Sequence, residues 1–426
     1  MFTAMIIIFI VGYILIATEH IIHVNKSATA LLLSVIMWVL AVCYMPETHS
    51  HLVHHLGEVA EILIFLLGAM TIVETIDTFG GFRIITDRIN TTKKTTLLWI
   101  IGILTFFISA VLDNLTTSIV MIALLRKIIG DKKDRWFYAG IVILAANSGG
   151  AWSPIGDVTT IMLWIAGKIT AGNIISTTFV ASIVSLAVPL AILTFAMKGN
   201  VTRPEIQSGA IQQINVSRKE QILILALGTG SLIFVPVFKT ITHLPPYLGI
   251  IGGLGILWTI TGIIAKRNPD RDNTTLTINH VLGRIDMPGI LFFLGILMSV
   301  NALSSCGQLA LLTTTLDGIP LIEPAKYYVI TTIIGILSSI VDNVPLVAAA
   351  MKMYSAFPVD HYFWSFLAYA AGTGGSILII GSAAGVAVMG MEKIDFIWYL
   401  KKISWLALTG YLAGCITYII QAAVTA

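Results

Sequence analysis

Apolar stretches of membrane-crossing length dominate this chain. A helix needs about 20 mostly apolar residues to cross about 30 Å of hydrocarbon. Eight such stretches are uninterrupted: 2–18, 27–45, 58–76, 174–197, 220–238, 247–265, 287–303 and 403–424. Only 11% of the 426 residues are charged, whereas soluble proteins carry about 25%. Because exposed backbone polar groups are not tolerated in lipid, the sequence predicts an all-α polytopic membrane protein.

Four further apolar stretches are interrupted by polar residues, glycine or proline. They are 96–125 with Asp113-Asn114, 136–167 with a break from Ser148 to Asp157, 325–354 with Asp342 to Pro345, and 362–391 with Gly372 to Gly381. Backbone groups at a helix break are tolerated at membrane depth only where protein or a cavity surrounds them. A carboxylate there is costly, so each break is a candidate functional site.

The distribution of Lys and Arg predicts the topology, because short cytoplasmic loops are enriched in both. The loops 77–95 and 126–135 are both basic, so both are expected on the cytoplasmic side. The stretch between them, 96–125, must then enter and return to the same face as a re-entrant hairpin. By the same rule 136–167 and 362–391 cross as broken helices, and 325–354 forms a second hairpin that enters from outside.

This topology has about ten crossings and two hairpins, with both termini outside. Only four of the 25 Lys and Arg then lie outside: Lys168, Lys239, Lys326 and Lys352. The segment Ile62 to Gly68 is echoed by Ile290 to Gly295, and each precedes a hairpin and a broken helix. The sequence therefore predicts two inverted-topology repeats whose broken elements meet near the membrane midplane. The predicted divisions are N-terminal helices at 1–57, a first repeat at 58–197, polar linkers with connecting helices 220–265 at 198–286, and a second repeat at 287–426.

The broken segments carry carboxylate, amide and hydroxyl oxygens, which are hard donors suited to small cations. The predicted cation- and proton-binding residues are Asp113, Asn114, Thr117, Asn147, Ser148, Asp157, Thr159, Asp342, Asn343, Thr373 and Ser376. Na⁺ is expected at Asp113 and Asp157. Because Ser382 stands where the first repeat has Asp157, the coupling acids are expected mainly on the first repeat. An alternative role for Asp113 and Asp342 is to cap the second hairpin arms.

Glu74 is a candidate for a proton path, although Glu74 and Glu61 can also be explained as snorkelling side chains at the ends of a span. A histidine-rich outside loop contains His49, His51, His54 and His55. It is predicted either to bind metal or sense pH, or to be an ordinary solvated loop. Cys43, Cys306 and Cys415 lack metal-ligand spacing and are interpreted as packing residues.

The segment Ala146 to Thr160, which reads ANSGGAWSPIGDVTT, together with Asp113-Asn114 and Val341 to Pro345, resembles the NhaD-type sodium/proton antiporters of the ion transporter superfamily. The resemblance covers nearly the whole chain. It implies exchange of cytoplasmic Na⁺ or Li⁺ for external H⁺, no cofactor, and a homodimer in the lipid membrane, with no nucleic-acid partner. The first apolar run is expected to be a span rather than a signal peptide. Because no Arg- and Ser-rich presequence of the kind that directs import into organelles is seen, a bacterial inner membrane is the expected location.

Two alternatives remain at this stage. A sodium-coupled carrier of dicarboxylates or oxyanions belongs to the same superfamily, but the acids at the breaks repel an anion, and no Lys or Arg is predicted at the midplane. An intramembrane aspartyl protease would use Asp113 and Asp157 as an acid-base dyad. It would explain neither the second hairpin nor the repeat.

Overall fold

The computed structural model describes residues 2–22, 24–86, 89, 91–204, 216–267 and 276–425. Parts of the predicted loops 77–95, 198–219 and 266–286 lie outside these residues. The helices are α1 (Phe2–Ala17), α2 (Glu19–Ile22), α3 (Lys26–Tyr44), α4 (His49–Thr78), α5 (Arg83–Thr86), α6 (Lys94–Leu112), α7 (Asn114–Ile128), α8 (Lys132–Gly150), α9 (Val158–Ile165), α10 (Ala171–Ala196), α11 (Arg218–Thr242), α12 (Pro246–Arg267), α13 (Ile278–Gly283), α14 (Met287–Ser305), α15 (Gln308–Asp317), α16 (Ala325–Leu337), α17 (Asn343–Met353), α18 (Tyr362–Gly374), α19 (Ala383–Glu392), α20 (Phe396–Lys402) and α21 (Ser404–Thr425). The all-α prediction is confirmed.

Within the described residues, eight helical segments are long and apolar enough to cross a membrane. Seven of them match uninterrupted stretches of the sequence. The eighth, Lys94–Leu112, is the first arm of the predicted hairpin, and α1 contains a shorter apolar segment, Thr3–Ile16. The chain is therefore a multi-pass membrane protein.

Helices α6 and α7 begin and end at the same face of the molecule. Lys94, at the start of α6, forms a 2.8 Å ion pair with Asp134 at the start of α8. The Arg135 guanidinium donates to the carbonyl of Ile129, just after α7, over 3.0 Å. The turn between the two arms is Asp113, at the other end of both helices. This arrangement is the hairpin geometry that the charge pattern predicts.

Helices α16 and α17 form the matching pair at the opposite end of the bundle. The ring of Tyr327, near the start of α16, packs edge-on against Tyr354, which follows α17, and against Phe363 at the start of α18. The short turn between the arms ends at Asp342. The base of this hairpin and the start of α18 therefore share one face.

Each broken helix runs from one face to the other, in opposite senses. Helix α8 starts beside Lys94, and the ammonium of Lys168, just beyond α9, donates to the carbonyl of Ser355 over 2.9 Å at the far face. Helix α19 ends at Glu392, whose carboxylate pairs with Arg126 and Arg135 at 2.6 Å each. The second broken helix thus ends at the face where the first begins.

The two hairpins contact their broken helices through matched residues. The Ser109 hydroxyl donates to the Ala146 carbonyl over 2.6 Å, and the Ser338 hydroxyl donates to the Ala371 carbonyl over 2.7 Å. A Cβ at Gly149 would collide with a backbone carbonyl of α6, and a Cβ at Gly374 would collide with one of α16. Only glycine lets the backbones approach this closely.

The similar segments Ile62 to Gly68 of α4 and Ile290 to Gly295 of α14 each pack closely on another helix through a glycine. A Cβ at Gly68 would collide with Ile250 of α12, and a Cβ at Gly295 would collide with the backbone at Ala30 of α3. Helix α3 therefore packs on α14, and α12 packs on α4. The predicted division between 57 and 58 falls inside α4, and the helices at 220–265 are α11 and α12.

Two smaller predictions need correction. The four histidines lie not in a loop but in the first turns of α4, which begins at His49. Among the cysteines, Cys306 and Cys415 are buried as expected, whereas Cys43 is exposed on α3. A cysteine on an apolar helix can face either lipid or a neighbouring helix, and the sequence does not distinguish the two.

Candidate functional site

The two hairpin tips and the two broken helices meet around one buried carboxylate, Asp157. Its side chain is 1% exposed. The amide nitrogen of Asn114 donates to Asp157 Oδ1 over 3.0 Å. The Thr159 hydroxyl and the amide nitrogen of Asn343 donate to Oδ2 over 2.5 and 3.3 Å. Asn114 lies on the first hairpin and Asn343 on the second, so Asp157 contacts both halves of the chain.

Asn147 continues this network into the second broken helix. Its side-chain oxygen accepts from Asn114 over 2.9 Å. Its amide nitrogen donates to the hydroxyls of Ser376 and Ser382 over 2.8 and 3.0 Å. All of these side chains are buried. A continuous chain of neutral amides and hydroxyls therefore joins the four breaks.

Local backbone geometry explains why Asp157 lies at this point. Helix α8 ends at Gly150, and α9 begins after Asp157, whose backbone is extended with φ −144° and ψ 149°. Ser382 before α19 has nearly the same conformation, with φ −142° and ψ 154°. A Cβ at Gly372 would lie 3.1 Å from Asp157 Oδ2, so that glycine leaves room for the carboxylate. The predicted correspondence of Asp157 with Ser382 thus has a structural counterpart.

Asp113 and Asp342 cap the second arms of their hairpins. The Asp113 carboxylate accepts from the backbone nitrogen and the hydroxyl of Thr116, each over 2.8 Å. Its φ of 85° is strained for any residue but glycine. Asp342 accepts from the backbone nitrogen of Val344 over 3.3 Å. The capping role considered for both acids is therefore present in the structure.

The remaining predicted residues differ in how directly they face this network. Ser148 accepts from the Ser185 hydroxyl over 2.9 Å. Thr373 donates to the Tyr369 carbonyl of its own helix over 2.6 Å. The Thr117 hydroxyl is buried and has no hydrogen-bond partner among the described residues. Of these three, only Thr117 offers an uncommitted buried hydroxyl.

Two residues of the site were not on the predicted list. Ser382 joins it through Asn147, and its alignment with Asp157 was the signal that pointed to it. The other is Lys26, whose ammonium lies 3.7 Å from Asp342 Oδ2. The expectation that no Lys or Arg lies at the midplane stays a prediction, but Lys26 does contact the tip of the second hairpin. Lys26 begins α3, and nothing in its local sequence indicates this partner.

Three cavities approach the site from the two faces. One of about 480 Å³ contains Lys26 and Asp342. A small one of about 80 Å³ lies at the same face and is lined by Glu74, Asp77, Arg284 and Thr116 of the first hairpin tip. At the opposite face a cavity of about 630 Å³ is lined by Glu58, Glu61, Lys168 and Lys352. The first two cavities therefore touch the two hairpin tips, whereas the third lies beside α9 and the second arm of the second hairpin.

Glu74 is ion-paired rather than free. Its carboxylate lies 2.9 Å from the Arg284 guanidinium, which also lies 3.6 Å from Asp77. The small cavity connects this cluster with Thr116, the residue that hydrogen-bonds Asp113. The location suits the predicted proton path, which stays a prediction.

Two of the four histidines at the start of α4, His54 and His55, lie beside Glu58. His55 Nδ1 lies 3.1 Å from Glu58 Oε2, and His54 lies 3.5 Å from Oε1. Lys352, at the end of the second hairpin, pairs with Glu58 over 2.9 Å. Among the described residues no group of three or more His, Cys, Asp or Glu side chains is placed to hold a metal ion. A cation at Asp157 would therefore need oxygens from amides, hydroxyls or backbone carbonyls besides the carboxylate.

Comparison with known proteins identifies the family. A family model described as "Citrate transporter" matches residues 13–374. The chain is 47% identical to "Sodium/proton antiporter 1" of Arabidopsis thaliana, over 98% of this chain and 72% of that protein. It is 30% identical to "Na(+)/H(+) antiporter NhaD" of Alkalimonas amylolytica, over 96% of this chain and 88% of that protein. The protein of the same name from Vibrio cholerae is also 30% identical, over 98% and 91%.

This chain belongs to the NhaD-type sodium/proton antiporter family. The resemblance drawn from Ala146 to Thr160 is thereby confirmed. NhaD-type proteins are transporters, so the protease alternative is wrong. The structure agrees with this, since among the described residues Asp113 bonds Thr116 while Asp157 bonds Asn114, Thr159 and Asn343, and no hydrogen bond joins the two acids.

Proposed function

We propose that this protein exchanges Na⁺ for H⁺ across its membrane and that Asp157 is the carboxylate for which the two ions compete. The observation that carries the proposal is the environment of Asp157. It is buried where both hairpin tips and both broken helices meet, and its contacts among the described residues are amides and a hydroxyl. The relatives named as sodium/proton antiporters supply the identity of the ions.

The chemistry follows from the cost of burying a charge. A carboxylate away from water needs a counter-charge, and around Asp157 the described side chains within hydrogen-bond distance are neutral. A proton or a small cation can supply that charge, but each excludes the other from the same oxygens. Alternate occupancy of one carboxylate therefore couples Na⁺ movement in one direction to H⁺ movement in the other.

Binding of Na⁺ requires a rearrangement of the side-chain amides. Asn114 and Asn343 present their nitrogens to the carboxylate, whereas a cation needs their oxygens. Rotation of both amides, together with Thr159, would surround the ion with hard oxygen donors from both halves of the chain. Asp113 then serves to hold the first hairpin tip in shape, through Thr116. Li⁺ fits the same chemistry and is proposed as an alternative cargo.

Access would alternate by movement of the hairpins and broken helices against the other helices. Support for two inverted repeats comes from the matched contacts of Ser109 and Ser338 and of Gly149 and Gly374. The cavities at the two faces supply the approaches. A homodimer remains part of the proposal and is tested by the molecular mass of the detergent-solubilised protein.

The test is Na⁺-induced dissipation of a preformed proton gradient in inside-out vesicles, across pH 7 to 9. The native protein should dissipate the gradient, and Asp157→Asn should not. Asp395→Asn is the matched control, because Asp395 caps α20 at an exposed position and asparagine caps equally well. Loss of exchange in both variants, or in neither, would refute the role of Asp157.

The anion-carrier alternative is tested in the same vesicles. The matching family model is described as a citrate transporter, so sodium-dependent citrate uptake is the appropriate assay. The charge of Asp157 would oppose a citrate trianion at the same position. We expect no uptake by the native protein. Uptake that depends on Na⁺ would replace exchange as the function.

The proposed location is a bacterial inner membrane. Relatives from Alkalimonas amylolytica and Vibrio cholerae support it, although two relatives of higher identity come from Arabidopsis thaliana. Fractionation of the source cells, followed by detection of the protein in the plasma membrane or in an organelle membrane, distinguishes the two locations.

A further inference from the structure

The second hairpin tip has a charged partner, and the first has none among the residues that the structure describes. Lys26 Nζ lies 3.7 Å from Asp342 Oδ2, and the two side chains are 24% and 15% exposed. Both line the cavity of about 480 Å³. At the first hairpin, the hydrogen bonds to the Asp113 carboxylate come from Thr116. The ion pair is therefore a specific feature of the second half of the site.

The position of Lys26 is fixed by helices outside the hairpin. Its ammonium lies over the ring of Phe292 on α14, 4.5 Å from the ring centre. The neighbouring Ser27 hydroxyl donates to the Pro288 carbonyl over 2.5 Å, which holds the start of α3 against α14. The Lys26 backbone nitrogen donates to Glu19 over 3.2 Å. Lys26 thus belongs to the packed α3–α14 unit, whereas Asp342 belongs to the hairpin tip.

Asp342 lies beside the residue that reaches the central carboxylate. Its neighbour Asn343 donates to Asp157 Oδ2 over 3.3 Å. The cavity reaches Asp342, and the other ionisable side chains lining it are Tyr13 and Glu19. The positive-inside rule assigns this face to the cytoplasm. A cation that enters from the cytoplasm through this cavity therefore reaches Asp342 before it reaches Asp157.

We propose that Lys26 is a tethered competitor of the transported cation. Its ammonium occupies the Asp342 carboxylate at the cytoplasmic entrance, so an entering Na⁺ must displace it to pass the tip of the second hairpin. Lys26 thereby weakens the apparent affinity for Na⁺ on the cytoplasmic side and holds the empty hairpin tip against α3. This inference rests on the proposed Na⁺/H⁺ exchange and adds a residue that sets ion affinity on one side.

The primary test is the KM for Na⁺ in inside-out vesicles, where the medium meets the cytoplasmic face. Lys26→Gln should lower this KM by up to about fivefold, the range expected for loss of a partly exposed ion pair. Lys26→Arg keeps the positive charge and should retain a KM near the native value. Lys401→Gln is the control, because Lys401 is an exposed lysine at the end of α20. The KM measured from the opposite face in right-side-out vesicles should not change.

A double-mutant cycle separates competition from a merely structural role. In an Asp342→Asn background the carboxylate charge is absent, so Lys26→Gln should change the KM no further. A second readout is the stabilisation of the purified protein by NaCl against choline chloride in thermal unfolding. Lys26→Gln should reach half of its stabilisation at a lower Na⁺ concentration than the native protein.

Three results would overturn the proposal. The first is an unchanged cytoplasmic KM in Lys26→Gln while the native protein exchanges normally. The second is that Lys26→Gln lowers the KM as much in the Asp342→Asn background as in the native protein, which would mean that Lys26 acts elsewhere. The third is an equal change in KM from both faces. Absence of exchange by the native protein would instead reject the proposed function, and this inference with it.

Discussion

Replacing Asp157 by asparagine should abolish exchange while leaving the protein nearly as stable as the native form. Three side chains, Asn114, Thr159 and Asn343, donate to the carboxylate. The nitrogen of an introduced amide would face one of these donors, which by itself would destabilise the protein. The amide network provides a way to avoid this conflict. If the oxygen of the introduced amide takes the place of Oδ2, its nitrogen faces Asn114.

Asn114 can rotate to present its oxygen, and Asn147 can rotate in turn, because its partners at the far end are hydroxyls. Ser376 and Ser382 accept from Asn147, and hydroxyls can donate equally well. The hydrogen bonds that run from the introduced amide through Asn114 and Asn147 to the two serines are then all remade with their directions reversed. We therefore expect Asp157→Asn to cost no more than about 1 kcal/mol of stability.

Asp157→Ala has no such compensation. It leaves three donors without their acceptor, and a buried unsatisfied donor costs about 1–3 kcal/mol. The Thr159 hydroxyl can rotate about its C–O bond more freely than an amide can reorient, so we expect a total cost of about 2–6 kcal/mol, from two amides at about 1–3 kcal/mol each. The two variants should thus be equally inactive but differ clearly in stability.

The assay is thermal unfolding in detergent, followed by fluorescence-detected size exclusion, alongside vesicle exchange. The midpoint for Asp157→Ala should lie several degrees below that for Asp157→Asn, which should lie close to the native value. Equal destabilisation of both variants would refute the reversible amide network. Native-like exchange by either variant would refute the assignment of Asp157 as the coupling acid.

Three further predictions follow from the packing and the helix caps. Gly149→Ala should destabilise the protein by about 1–3 kcal/mol, because the added Cβ collides with the backbone of α6; the control Gly172→Ala, with open space around its Cβ, should not lower the unfolding midpoint. Asp113→Gly should be more stable than Asp113→Ala by about 1 kcal/mol, because glycine relieves the strain of a φ of 85°; equal midpoints would contradict this. Glu392→Gln should cost about 2 kcal/mol in the same unfolding assay by weakening two charged hydrogen bonds, and an unchanged midpoint would show that the arginines do not need the carboxylate.

The arrangement of the helices could be predicted from the sequence because two simple signals agree. Apolar length predicts where helices cross, and the basic loops on either side of 96–125 require that stretch to return to its starting face. Both ends of the resulting hairpin lie together, as the ion pair of Lys94 with Asp134 demonstrates. Glycine, proline and acid-amide pairs also predicted where the helices break, since few other residues interrupt an apolar run.

The contacts across the site could not be predicted, because they join residues from opposite halves of the chain. The hydrogen bond from Asn343 to Asp157 and the ion pair of Lys26 with Asp342 both depend on how the two halves dock. Nothing in the sequence around Lys26 distinguishes it from other lysines at the ends of spans. The same limit applies to Asp113, whose side chain could equally have faced Asp157 instead of Thr116.

The central claim is that Na⁺ and H⁺ compete for Asp157, and proton release by the purified protein tests it most directly. NaCl is added to the detergent-solubilised protein in weakly buffered solution between pH 7 and 9, and the released protons are measured with a pH indicator dye, with choline chloride as the control. The native protein should release protons in proportion to bound Na⁺, and Asp157→Asn should release none. Na⁺ binding without proton release, or equal release by Asp157→Asn, would contradict the account.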